Sequence, residues 1–294
     1  MAAWIRGKAH RLAAIILWLT LVGILPGTGT AAAQSTGYFT PLTHRLIADG
    51  FDARKINELY ERPEVRFEIR GISTFFTYSE SKLNYDQFLG WRSIRKAENY
   101  LKTHQDSLSA AENRYGVDRH VITAIILVET KLGTYLGNRM ILNTLSTMAS
   151  LSDPEAREQF WNQIDTSRRF KRARFDAKAD AKSKWAYSEL KAFLKYSATQ
   201  KLDPVEVVGS FAGAMGIAQF MPSNALKLAR DGNRDGHVDL FNHADAIASV
   251  ANYLKHHGWK PDTPRKDAYH ILLRYNYSKY YVKTILAIAQ KLKG

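Results

Sequence analysis

The run DRHVITAIILVETKLG at residues 118–133 sets a carboxylate where one is costly. Val121, Ile122, Ile125 and Ile126 precede Glu129 by eight, seven, four and three positions, the spacing of a single helix face. Asp118 is of a type that caps a helix start, and the apolar run closes before Gly133. In the last turn the helix dipole disfavours an anion and burial acts in the same sense, so both raise a carboxyl pKa. Such a Glu either pairs with Lys131 or a neighbouring helix, or serves as a proton-donating carboxyl kept partly neutral at a cleft wall.

Two other stretches carry chemistry. GSFAGAMGIAQFMP at 209–222 is a run of small residues holding Gln219 and closed by Pro222, which is suited to start a helix. Its glycines permit close backbone approach; with no Gly-Lys-Ser or Gly-Lys-Thr after them they do not form a phosphate loop. The loop DGNRDGHVD, 231–239, has oxygen ligands at positions 1, 3, 5 and 9, Gly at position 6 and Val238 at position 8. That is the first part of an EF-hand calcium loop, but position 12 is Asn242 where a bidentate Glu belongs.

The elements that must position these residues are mostly helical. TPLTHRLIADG and FDARKINELY give two short helices, and 85–115 gives a helical stretch broken near Gln105 and Asp106. EVRFEIRGI alternates Val65, Phe67 and Ile69 with charges and predicts an extended segment. A helix is expected from Trp185 to a break at Asp203-Pro204. Two more are ADAIASVANYLKHHG, stopping at Gly258, and SKYYVKTILAIAQKLKG behind a Ser278 cap. The run SRRFKRARFDAKADAKSK, within the polar part 151–184, reads as a solvated helix face or as a patch along an anionic substrate.

Composition bounds the partners. In 294 residues, 45% apolar and 12% aromatic, there is enough to build one large domain or two small ones. The net charge of +14 favours nucleic acid, acidic membrane surfaces or anionic cell-wall polymers. Residues 1–33 have the pattern of an export signal, with Arg6, Lys8 and Arg11 ahead of AAIILWLTLVGIL and small residues ending at Ala33. The absence of cysteine excludes disulfides, thiol catalysis, zinc-thiolate sites and a lipid-attachment cysteine. A soluble, exported, periplasmic protein is the expectation, with no stable membrane insertion once the signal is removed.

GSFAGAMGIAQFMPS, DGHVDLFNHADAIASVANYLKHHGW and VETKLG together resemble the B-type lytic murein transglycosylases, bacterial enzymes that cleave peptidoglycan glycan strands. The likeness is strongest over 116–150 and 209–281, with a weaker match through TPLTHRLIADGF and RPEVRF. It implies a mainly α, lysozyme-like catalytic core over 34–294, with a small β element around the calcium loop. Glu129 takes the place of the family's single catalytic glutamate, with Ser210 and Gln219 lining the sugar cleft. Tyr253, Tyr275, Asn276 and Tyr281 fall on further groove positions, as does Tyr85 after a one-residue gap. Amphipathic rings suit sugar faces, and the polar groups suit hydroxyl and acetamido partners. Where the family has two arginines before the helix matching SELKAFL, this chain has Ala181 and Lys182 within a longer, more basic insertion.

The resemblance also implies that Asp245 completes a structural calcium site with Asp231, Asn233, Asp235 and the His237 carbonyl, and that no organic cofactor is used. Peptidoglycan strands are the expected partner and nucleic acid is not, given the export signal. The implied reaction yields 1,6-anhydro sugar ends without consuming water. A muramidase using the same cleft and a non-catalytic peptidoglycan-binding protein are the alternatives.

Overall fold

The structure is a computed structural model, and it describes residues 37–77, 84–164 and 171–294. The export signal expected over 1–33 lies outside the described residues. In chain order the helices are α1 (Thr40–Ala48), α2 (Ala53–Tyr60), α3 (Ile69–Thr77), α4 (Trp91–Thr103), α5 (Gln105–Tyr115), α6 (Arg119–Thr130), α7 (Ile141–Ser150), α8 (Pro154–Gln163), α9 (Arg172–Gln200), α10 (Pro222–Leu228), α11 (His243–His256), α12 (Arg265–Tyr275) and α13 (Lys279–Lys293). Two strands, β1 (Arg139–Met140) and β2 (Val208–Gly209), pair antiparallel, with Arg139 opposite Gly209 and Met140 opposite Val208. Among the described residues no helix is long and apolar enough to cross a membrane.

The chain divides into two compact units. Of the described residues, one holds α4–α6 and α10–α13, from 84–137 and 214–294; the other holds α1–α3, α7–α9 and the two strands, from 37–77, 138–164 and 171–213. The expected catalytic region, 34–294, is therefore built in two parts.

In the first unit α6 is the central helix, packed by α4, α5, α11 and α13. All ten residues from Val121 to Thr130 are buried. Each buried Val, Ile or Leu contributes about 1.5–3 kcal/mol. Together they outweigh the several kcal/mol that a buried carboxyl costs. The expected cap forms: the Asp118 carboxylate accepts from the His120 amide. Asp118 also pairs with Lys293, so α13 meets the start of α6 as well as its end.

In the second unit α7 packs along α9, and Phe76, Phe160 and Phe175 form an aromatic cluster. Phe175 and Ala179 are buried, followed by Ser183 and Ala186 at helical spacing. They extend α9 back to Arg172, thirteen positions before the expected Trp185, and make the basic run solvated on one side only from Arg172 onward; its start, 167–170, lies outside the described residues. The far end also differs. Lys201 turns left-handed at φ 56° and Leu202 donates to the Ser197 carbonyl, which closes the helix at Gln200 before Asp203-Pro204 is reached.

EVRFEIRGI is extended only to Glu68; Ile69 begins α3. The Glu68 carboxylate accepts from the Gly71 amide, as an N-terminal cap does, and Ile72 and Phe76 then bury at i, i+4. The strand pair lies at 139–140 and 208–209, away in sequence from the 231–239 loop where a β element was expected.

Candidate active site

Glu129 is 0% exposed, in the last turn of α6. Its Oε1 accepts a 2.7 Å hydrogen bond from the Tyr281 hydroxyl, and its Oε2 is buried without a partner among the described residues. Burial raises the Glu129 pKa well above the usual carboxyl range; the Tyr281 hydrogen bond opposes that, and less strongly. Among the described residues no neighbouring acid contributes to the shift. A proton on Oε2 removes the buried charge, so burial favours a neutral acid at this helix end.

Tyr281 reaches Glu129 because Ser278 accepts from the Tyr281 amide and starts α13. The Tyr281 ring stacks parallel to that of Tyr275 at 6.5 Å, and Tyr275 meets Tyr253 edge-on at 4.9 Å. Tyr275 donates to the Ala218 carbonyl at 2.6 Å and Tyr253 to the Arg274 carbonyl at 2.6 Å. All three rings are buried. Burial raises each of their pKa values, so all three stay neutral donors. The hydroxyls of Tyr253 and Tyr275 are committed to backbone carbonyls, and that of Tyr281 to Glu129.

Gln219 is also buried, held at φ 48° with its amide donating to the carbonyls of Gly216 and Leu136. A β-carbon on Gly216 would lie 2.5 Å from Leu240, and its φ is +72°, so only glycine fits there. Thr130, which the sequence reading passed over, ties the end of α6 to this run: its Oγ1 donates to the Ile217 carbonyl at 2.9 Å and accepts from the Gly133 amide. A Thr in the last turn, three positions before Gly133, was the available signal.

Of the remaining expected residues, Asn276 is buried in the turn between α12 and α13, and Tyr85 is half-buried ahead of the helical turn Asp86–Phe88. Ser210 belongs to the second unit, where its Oγ accepts from the Ala212 amide.

The 231–239 loop is cross-braced. Asp231 accepts from the amides of Arg234 and Gly236, and Asp235 from that of His237. From α11, buried Asp245 accepts from Gly232 and Asn233 on one oxygen and from Asp239 on the other. Asn242, at the twelfth position, spends its side chain capping α11 at Ala244. Among the described residues no three His, Cys, Asp or Glu side chains converge as a metal cage, so any cation here also needs Asn233 and carbonyl oxygens. The donor set fits a hard cation. The Asp245 pKa is raised by burial and by the like charge of Asp231, and no ion pair to Asp231, Asp235 or Asp245 offsets that charge among the described residues.

A family model for the transglycosylase SLT domain matches residues 35–268. The chain belongs to that family. The membrane-bound lytic murein transglycosylase B of Escherichia coli (strain K12) is 34% identical over 173 residues, 59% of this chain and 40% of that protein. The chain thus spans less than half the length of that relative. The Escherichia coli lytic transglycosylase Slt35 in complex with calcium superposes with TM-score 0.69 at 23% identity, covering 90% of this chain and 95% of that one. SltB3 of Pseudomonas aeruginosa in complex with NAG-NAM-pentapeptide gives 0.70 at 21% identity, covering 89% and 80%. At such identities these likenesses speak for the fold, which is the mainly α, lysozyme-like architecture expected from the sequence.

Proposed function

We propose that this transglycosylase-family chain is a lytic murein transglycosylase that cleaves the β-1,4 bond between N-acetylmuramic acid and N-acetylglucosamine. The observation that carries the reading is Glu129, a buried acid with one hydroxyl partner and, among the described residues, no second carboxyl acting on it. Ordinary glycosidases need two carboxyl groups, one as acid and one as base or nucleophile. Here Glu129 gives the Oε2 proton to the glycosidic oxygen, and the C1–O bond breaks. The resulting carboxylate, steadied by Tyr281, takes the proton of the muramoyl C6 hydroxyl as that oxygen closes on C1. One bond is broken and one formed, the proton returns to Glu129, and water is not consumed. Because Glu129 has no exposed surface, the residues covering it must part when the glycan is delivered.

Tyr253, Tyr275, Asn276, Gln219 and Tyr85 shape the groove beside Glu129, and Ser210 is a further sugar-binding residue of the same reading. The relative solved with NAG-NAM-pentapeptide supports peptidoglycan as the substrate class. In the loop, Asp231, Asn233, Asp235, the His237 carbonyl and Asp245 hold calcium as a structural ion that braces the start of α11; the relative solved with calcium supports this. Export through residues 1–33 to the periplasm belongs to the same reading.

Mass spectrometry of digested sacculi tests it. Fragments ending in 1,6-anhydromuramic acid are expected, together with their loss in Glu129→Gln. Reducing muramic acid ends would identify a muramidase, and intact sacculi with normal binding would identify a binding protein.

A further inference from the structure

We propose that the groove between α12 and α13 is a docking site for the carboxylates of peptidoglycan stem peptides, remote from the reacting bond. This rests on peptidoglycan being the substrate. The groove measures about 410 Å³ and is lined by Arg265, Lys266, Tyr269 and His270 of α12 and by Lys283 and Leu286 of α13. Arg265 with Tyr269, and Lys266 with His270, are i, i+4 pairs, so the four side chains share one face of α12. Arg265, Lys266, His270 and Lys283 are exposed, and no acid pairs with them among the described residues.

The adjoining depression shares Arg265 and Leu286 with the groove, and most of its acids are spent internally. Glu112 pairs with Arg119, and Asp118 pairs with Lys293 and His120, leaving Asp262 as the lining acid without an ion pair among the described residues. The surplus charge is cationic, which attracts an anion; Arg265 and Lys266 on one helix and Lys283 on the other suit one with repeated carboxylates. Half-buried Tyr269 and Leu286 add apolar surface between the cations. A peptide bearing both carboxylates and short aliphatic side chains uses charge and surface together, whereas a phosphate chain uses the charge alone. Tyr275 and Tyr281 sit on the buried faces of these same helices, so an occupant of the groove leaves the Glu129 side open.

The test compares the parent with the triple variant Arg265→Glu, Lys266→Glu, Lys283→Glu, by co-sedimentation with sacculi that carry stem peptides and with glycan strands stripped of them by an amidase. About tenfold weaker binding to the peptide-bearing material at low salt is expected from three reversed surface charges. Binding and cleavage of the stripped strands should match the parent, and the swap Arg265→Lys, Lys266→Arg, Lys283→Arg should restore peptide-dependent binding. Equal losses on both materials, no loss on either, or a loss confined to a DNA oligonucleotide would overturn the proposal. If the triple variant fails to fold, NMR of the parent titrated with an acetylated stem pentapeptide decides: shifts at 265–270 and 283 support the site, and shifts only elsewhere refute it. Failure of the lytic reading would show separately, as missing 1,6-anhydro ends while peptide-dependent binding stands.

Discussion

Glu129 and Tyr281 lie 152 positions apart in the chain and share a 2.7 Å hydrogen bond. The bond favours the charged form of the carboxyl, the form left behind once a proton has been given away. Burial favours the neutral form. The pair therefore sets how strongly the acid holds its proton and how well it tolerates losing it.

Tyr281→Phe removes only the hydroxyl. Since the hydrogen bond lowers the Glu129 pKa, its loss should move the alkaline limb of the pH–rate profile upward. Turnover should fall about ten- to a hundredfold, the worth of a hydrogen bond to a charged group. A profile that keeps its limb would show that Tyr281 does not act through Glu129.

Glu129→Gln should lose roughly two to four orders of magnitude in rate, the usual worth of a positioned acid or base, while still binding sacculi. It should also be more stable than the parent at neutral pH. The Glu129 pKa is raised in the folded state, so between the unfolded and folded values folding takes up a proton and stability falls as pH rises. The melting advantage of the variant should therefore shrink as pH is lowered toward about 4, the unfolded carboxyl value. Melting curves across pH 4–8 check the sign.

The calcium assignment predicts a melting temperature that falls on chelation. An ion bound only to the native state stabilises by about 2.7 kcal/mol at a hundredfold excess over Kd. Asp235→Ala should abolish the response to calcium without changing the parent's metal-free melting by as much. Identical curves for parent and variant, with and without calcium, would leave the loop as a turn.

Gly232→Ala separates packing from metal. A β-carbon there would sit 2.2 Å from the Ala244 carbonyl oxygen, so the loop would have to move off the start of α11. A loss of about 1–3 kcal/mol is expected, as for other overpacked sites, and it should persist in the presence of chelator. Urea melts with and without chelator measure it.

The sequence made the α6 core and both helix caps legible, because Asp118 and Ser278 act on amides two or three residues away. Glu129 was readable as a buried carboxyl from four apolar neighbours on its own helix. Its partner was not, since no local pattern links positions so far apart; Tyr281 came through family resemblance alone. Two-residue strands leave no periodicity, so β1 and β2 escaped. The extension of α9 turned on burial of Phe175 inside a basic run, which composition hides. The partners of the Tyr275 and Tyr253 hydroxyls, the Ala218 and Arg274 carbonyls, were not legible either, because they lie far along the chain from the rings.

The grip of α13 on α6 occurs at two points, Lys293 on Asp118 and Tyr281 on Glu129. The two spacings nearly match: at about 1.5 Å per residue, each helix covers roughly 16–18 Å between its two contacts. A slip of either helix by one turn would break both contacts together, so the pair works as a register key with two teeth. Weakening the surface ion pair at one end should thus loosen the proton control at the other, through alignment and without any change of charge at the acid.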